Sequence, residues 1–424
     1  MRGRFYALGR RTIPLAWRRA LRRHVRTERL LGLQKPGPEL PRWDADPGRA
    51  RAGRPDILVL PVIAWSYRRQ RPQQLAEALA RLDRRVFYGS LRGAGEPAAP
   101  VGVAPGVTLL PISGVRREDP ADRRLGGRAL ARALTGLSAA RERFDLHECV
   151  LLVQSPFWGP LVAVLRERFG WRIVYDCLDA HPEFPTNRAR ILDDAERRLA
   201  STADIVTATS ESLRRRMAIW NPGARILPNA CDYALFADLP VPASDAGHLT
   251  VGYVGAVDAW FDLDLLARLA DLEPQWRFEI VGGIEDVAAK IPRRPNLVFH
   301  GERPHREMPE FRRRFDVEII PFRLSELTHA TDPVKLYEAA AAGRVVVATP
   351  MRSLETLGRQ GLVRLASTAE DFVREIRAAA REGPDGARRQ RAFARENTWD
   401  VRARTLEGWM TGLFPAAKKE VTRE

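Results

Sequence analysis

The stretch "TDPVKLYEAAAAGRVVVAT" (331–349) places Lys335 three residues before Glu338. A lysine in the first turn of a helix opposes the macrodipole, and a bound polyanion there would relieve the cost. Glu338 can accept from the two hydroxyls of a ribose. The same pair can also form an i,i+3 ion pair on a surface helix with no ligand at all. Upstream, Arg323, Ser325, Thr328 and Thr331 give a polar loop after the apolar run "VEIIPF" (317–322).

Three further segments carry chemistry. "YDCLDAHPEFP" (175–185) gathers Asp176, Asp179, His181 and Glu183, suited to acid–base work or to orienting hydroxyls, and equally to helix capping. "AWSYRRQRPQQ" (64–74) gathers Trp65, Arg68, Arg69, Gln70, Arg71 and Gln73 at a strand-to-helix turn, where an anion can bind or where a basic loop is simply solvated. "VGYVGAVDAWFD" (251–262) and "IVGG" (280–283) end apolar runs in glycine, allowing close backbone approach to a ligand or merely a chain turn.

These segments need elements to position them. Short apolar runs at 57–63, 84–90, 107–112, 149–156, 172–179 and 203–210 read as buried strands, with helical periodicity at 71–82, about 159–168 and 191–200. The pattern restarts after "PVPASDAGH" (240–248), with strands at 249–256, 277–283, 297–302, 317–322 and 344–349, and a last helical stretch at about 386–413. Alternation of this kind predicts α/β architecture: two doubly wound parallel sheets facing across a cleft. The expected division is a basic segment and linker (1–54), an N-terminal domain (55–235), a C-terminal domain (236–385) and a final helix (386–424) packing back on the N-terminal domain. Ligands of open parallel sheets bind beyond the carboxyl ends of the strands, where most of the named residues fall.

Bulk properties bound the remaining classes. The chain has 424 residues, 45% of them hydrophobic, so it can build two cores. Three dispersed cysteines, Cys149, Cys177 and Cys231, support neither a disulfide framework nor a zinc site, and a reducing cytoplasm is the expected compartment. The net charge of +16 concentrates at the start: residues 1–35 hold ten Arg and one Lys against one Glu. Leu15, Trp17, Leu21, Val25 and Leu31 lie among those arginines, a pattern that fits the surface of an anionic membrane, though a solvated tail or a nucleic-acid contact has the same composition. No nucleic-acid-binding signature accompanies it, so nucleic acid is not expected as a partner.

Taken together, the segments resemble GT-B glycosyltransferases of the glycosyltransferase 4 type, over about residues 55–413. Residues 321–350 resemble that family's donor-nucleotide segment. "LPNACDYALF" (227–236) is similar to its domain junction through Pro228, Asn229, Asp232 and Phe236. "RRQRPQQLAEALA" with "VYDCLD" resembles a bacterial branch making teichuronic-acid-like or capsular polysaccharides. The resemblance implies transfer of a sugar from a UDP- or GDP-sugar, a substrate rather than a cofactor, to a hydroxyl of a lipid-linked or polysaccharide acceptor. It further implies retention of configuration without a metal. Donor contacts are then expected from Gly255, Arg323, Thr328, Lys335 and Glu338, catalytic roles from His181 and Asp179, and acceptor contacts from Trp65, Arg71, Gln73 and Asp176. Two departures stand out: Ala330 occupies the position of the family's first glutamate, and the family's basic pair is incomplete, with Asp258 and Asp262 after Gly255 in place of the usual Lys-Gly and Lys335 as the surviving phosphate partner. Other readings are a nucleotide-sugar 2-epimerase and a degenerate, non-catalytic partner protein. The enzyme is expected in the cytoplasm, at the inner face of the plasma membrane.

Overall fold

The computed structural model describes residues 54–92, 98–116, 125–183, 189–241, 247–285 and 287–414. The basic segment 1–35 therefore lies outside the described residues.

Eight strands make the first sheet: β1 (Asp56–Leu60), β2 (Val86–Arg92), β3 (Val101–Ala104), β4 (Val107–Arg116), β5 (Cys149–Val153), β6 (Arg172–Cys177), β7 (Ile205–Ala208) and β8 (Arg225–Ile226). Their spatial order is β3-β4-β2-β1-β5-β6-β7-β8. All neighbours run parallel except β3, which pairs antiparallel with β4. β1 and β5 are buried at every position, as a strand covered by helices on both faces requires.

Six strands make the second sheet: β9 (Thr250–Val254), β10 (Arg277–Val281), β11 (Leu297–Gly301), β12 (Val317–Ile320), β13 (Val346–Ala348) and β14 (Arg364–Leu365). The order is β11-β10-β9-β12-β13-β14, all parallel. The strand order reverses between β1 and β5 in the first sheet and between β9 and β12 in the second. Such a reversal opens a crevice at the carboxyl ends, because the two flanking connections leave in opposite directions.

Three features differ from the sequence reading. The edge strands β3, β8 and β14 are absent from it, being short and, in β8, exposed. The loop after β12 contains a helix, Glu326–Ala330, whose Ser325 and Thr328 form a capping box. The last helical stretch is two helices, Gly383–Glu396 and Trp399–Thr411, interrupted at Asn397-Thr398, where the Thr398 hydroxyl caps the second. That second helix buries Trp399, Ala403, Leu406 and Met410 in one cluster with Leu75, Leu79 and Tyr88 of the first domain. Full burial of side chains this size stabilises by roughly 1.5–3 kcal/mol each.

Candidate functional site

The loop after β1 and the helix Arg71–Arg81 are anchored from inside. Arg71 is 3% exposed and Asp176 is inaccessible. The Arg71 guanidinium donates to both Asp176 oxygens, at 2.9 and 2.7 Å, and to the Pro228 carbonyl and Asn229 Oδ1. Thr207 and Gln154 also donate to Asp176. Burial opposes the charge on Asp176, but Arg71 and these two donors hold its carboxyl below the usual range. Gln73 Nε2 donates to the carbonyls of Ala64, Trp65 and Arg68 and so staples the loop. Trp65 packs edge-on against Tyr88 with ring centroids 5.0 Å apart. The structure thus places all four expected acceptor residues in the interior. Arg71, Gln73 and Asp176 spend their polar atoms on the fold, because a buried charge without partners costs too much to leave for a ligand.

The loop after β6 differs. Its His181 is buried, and burial together with Arg216 pushes its imidazole down to about 4, so it is neutral at pH 7. Asp179 is partly exposed. Burial pushes its carboxyl up to about 7 and Asp332 of the second domain adds to this, while Arg71 and Lys335 pull it back. Asp179 stands two residues past the end of β6, at the crevice end of the first sheet. It also titrates where an acid or base is useful at neutral pH.

Across the crevice, β9 ends at Val254 and the next residue is Gly255, with φ 148. A β-carbon there would lie 2.7 Å from Lys335 Cε and 3.0 Å from the Tyr253 hydroxyl. Glycine therefore makes room for the lysine, which crosses the strand end and sets its Nζ 4.8 Å from the Phe322 ring centroid and 5.5 Å from that of Tyr253. Burial pulls the Lys335 ammonium down to about 8, only partly offset by Glu338. It makes no ion pair among the described residues. The result is a cation on an aromatic bed at the β9/β12 reversal, desolvated and without a bound carboxylate.

Glu338 does not bond to Lys335. Its Oε1 meets His305 Nε2 at 2.9 Å and its Oε2 accepts from Arg312 Nη1 at 3.0 Å. Burial opposes its charge, but Arg312 and His305 hold the carboxyl down to about 2. Arg312 is fully buried and also binds Glu318 at 2.8 Å. Glu338 is thus a fixed anion, each of its oxygens keeping acceptor capacity for a hydroxyl. The sequence reading missed Arg312 and His305, which lie in "HREMPEFRRRFD" among other charges with no spacing that marks them.

Two expected donor residues fall elsewhere. Arg323 is half exposed and bonds Asp264 at 2.7 Å and Asp262 at 3.4 Å. Thr328 is 1% exposed, and its hydroxyl donates to the Arg323 carbonyl within the capping box. Its type and place in a polar loop suggested a ligand, but the helix there takes the hydroxyl for its own N-terminus.

Asp332, also unforeseen, ties the domains together. It accepts from the backbone N–H of Asn229 at 2.6 Å and from the Tyr337 hydroxyl at 3.0 Å, while Asn229 Nδ2 donates back to the Asp332 carbonyl at 2.6 Å. Two residues earlier, Ala330 packs into the first domain's core and its carbonyl accepts from Ser210 Oγ at 2.6 Å. A glutamate in place of Ala330 would have to bury its carboxylate at that contact, which accounts physically for the departure there. No group of three or more His, Cys, Asp or Glu that could hold a metal occurs among the described residues.

Comparison with known proteins bears on this geometry. Residues 69–230 match the glycosyl transferase 4-like domain and residues 248–382 match glycosyl transferases group 1. The teichuronic acid biosynthesis glycosyltransferase TuaH of Bacillus subtilis (strain 168) is 27% identical over an alignment of 243 residues that covers 52% of this chain and 59% of that protein. The match thus spans less than two thirds of that relative's length. Among solved structures, sucrose-phosphate synthase from Thermosynechococcus elongatus superposes with a TM-score of 0.68 at 16% identity, over 86% of this chain and 100% of the other. Anabaena Alr3699/HepE in complex with UDP and glucose gives 0.59 at 14%, over 85% and 100%. At these identities the structural likeness speaks for the fold.

Proposed function

The chain belongs to the glycosyltransferase 4-like enzymes of GT-B fold, and on that premise we propose that it moves a sugar from a nucleotide-diphosphate sugar to a hydroxyl of a cell-surface glycan under assembly. The observation that carries this is the Lys335 ammonium, held over Phe322 and Tyr253 at a strand end cleared by Gly255. A leaving nucleoside diphosphate gains negative charge as the glycosidic bond breaks. A preorganised cation in a site of low dielectric stabilises that charge more than water does. Glu338, fixed by Arg312 and His305, receives the ribose hydroxyls. Asp179, on the facing domain and titrating near 7, serves the sugar and the incoming hydroxyl, with the neutral His181 holding the loop beside it.

The relative assigned to teichuronic acid synthesis supports a polysaccharide acceptor, and the UDP and glucose of the Anabaena structure support a UDP-sugar donor with GDP-sugars as the alternative. Retention of anomeric configuration and transfer without a metal belong to the same reading. So does attachment of residues 1–35 to the inner face of the membrane. No helix among the described residues is long and apolar enough to cross a membrane. The test is donor hydrolysis across UDP-, GDP- and dTDP-sugars, followed as free nucleotide. Turnover of one donor that Lys335→Ala and Glu338→Ala sharply reduce is the expected result. Absence of binding to every donor by calorimetry contradicts the proposal.

A further inference from the structure

Arg68 belongs to the first domain, in the loop after β1, yet the hydrogen bonds of its guanidinium among the described residues go to the second. Its Nε and Nη2 donate to both oxygens of Glu302, at 2.8 to 3.0 Å, and Nη2 also donates to Glu285 Oε1. Glu302 follows the last residue of β11, and Glu285 lies in the connection after β10. All three side chains are largely withdrawn from solvent, at 20%, 23% and 28% exposure. The Arg68 guanidinium also lies over the Tyr67 ring, 5.2 Å from its centroid. A β-carbon on Gly283 would meet Arg68 Nη2 and Glu302 Oε2, the movable ends of two long side chains, so an alanine there would push the pair aside. The backbone of Gly283 is outside the left-handed region, so its lack of a side chain is explained by this close approach and not by φ.

We infer that Arg68 is the clasp that holds the two domains closed over the crevice. The bond can exist only while the carboxyl ends of β1 and β10 face each other. When the domains part, Glu285 and Glu302 lose their shared cation and repel. Closure is therefore charge-driven at this edge, whereas the Asn229–Asp332 tie sits where the chain crosses between domains and Ser210–Ala330 is a neutral bond. A bidentate Arg–carboxylate pair that is partly desolvated is of the stronger kind, and its cation is still weakened by salt. Arg68 is thus a positioning residue: it touches no reacting atom but sets how often Asp179 and Lys335 meet across the cleft. This rests on the crevice being the active site, but its test does not.

Small-angle scattering on the ligand-free full chain reads closure without any donor. The wild type is expected to expand as salt is raised from low to high ionic strength. Arg68→Gln and Glu302→Gln should be expanded already at low salt and lose that response. Gly283→Ala keeps every charge but pushes against both side-chain ends, and should shift the response in the same direction by less. Ser210→Ala removes a neutral interdomain bond and a helix cap to Leu213 but no charge, and should retain the salt response. Equal radii of gyration for wild type, Arg68→Gln and Gly283→Ala at both salt concentrations would overturn the clasp. So would an Arg68→Gln protein that still expands with salt as the wild type does. Neither result depends on glycosyl transfer, so the clasp and the proposed activity stand or fall separately.

Discussion

Lys335 Cε occupies the space that a β-carbon on Gly255 would need, 2.7 Å from its ideal position. The glycine and the lysine come from different segments of the sequence, and each explains the other. Gly255→Ala should therefore act as a partial Lys335 deletion. It places a methyl group in the lysine's path, at a φ of 148 that L-residues rarely adopt. Donor turnover should fall roughly 10²- to 10³-fold for Lys335→Ala, the range typical of a lost charge-stabilising donor. Gly255→Ala should approach it, as measured by initial rates of nucleotide release.

Glu338 is held by Arg312 and His305, so its two kinds of variant should separate. His305→Ala removes one support and leaves the Arg312 bond, and should raise the donor KM more than it lowers kcat. Glu338→Gln leaves the buried Arg312 with Glu318 alone and should cost roughly 3–5 kcal/mol of stability, the range for breaking a buried pair. Urea denaturation followed by far-ultraviolet circular dichroism checks the second, and steady-state kinetics the first.

Arg71 and Asp176 are a stability pair. Asp176→Asn should lower unfolding free energy by roughly 3–5 kcal/mol. It should leave acceptor KM unchanged in whatever protein remains folded. A rise in acceptor KM with unchanged stability would return these residues to the acceptor site.

Activity should depend on pH through two groups. Asp179 ionises as pH rises through about 7, and Lys335 loses its proton as pH rises through about 8. If the ionised aspartate and the ammonium are both needed, kcat/KM should rise through the first value and fall through the second, giving a narrow bell. Asp179→Asn should flatten the acid limb only. The stability sign is separate: a folded-state Asp179 raised above its ordinary 3.8 binds a proton that the unfolded chain has released, so its contribution declines as pH climbs from about 4 to about 7. Asp179→Asn should remove that decline in thermal denaturation.

The fold was legible because buried parallel strands write themselves as short apolar runs, and the restart at residue 249 marks a second sheet. The placement of Lys335, Glu338 and Gly255 near the crevice was legible for a related reason: each stands just past a strand or in the first turns of a helix, at the carboxyl ends of an open sheet. The loop residues were not. Arg71, Gln73, Asp176 and Thr328 have the composition of a binding surface, but whether a polar side chain faces a cleft or is consumed by the interior depends on partners tens to hundreds of positions away. Asp176 is the clearest case, since its partners Arg71, Gln154 and Thr207 come from three other segments. Arg312 and His305 stayed hidden for the converse reason. They lie in a charge-rich stretch whose pattern is that of a solvated face, and only the packing shows that these two side chains turn inward to Glu338.

The central claim is that a nucleoside diphosphate binds at the β9/β12 reversal on Lys335. Calorimetric titration of the full chain with UDP and with GDP, alongside Lys335→Ala and Arg323→Ala, tests it most directly. The expected result is one equivalent of one nucleotide bound by wild type, affinity weakened roughly 10- to 100-fold in Lys335→Ala, as for loss of a charge-assisted contact, and little change in Arg323→Ala. Equal affinity in wild type and Lys335→Ala would contradict the account.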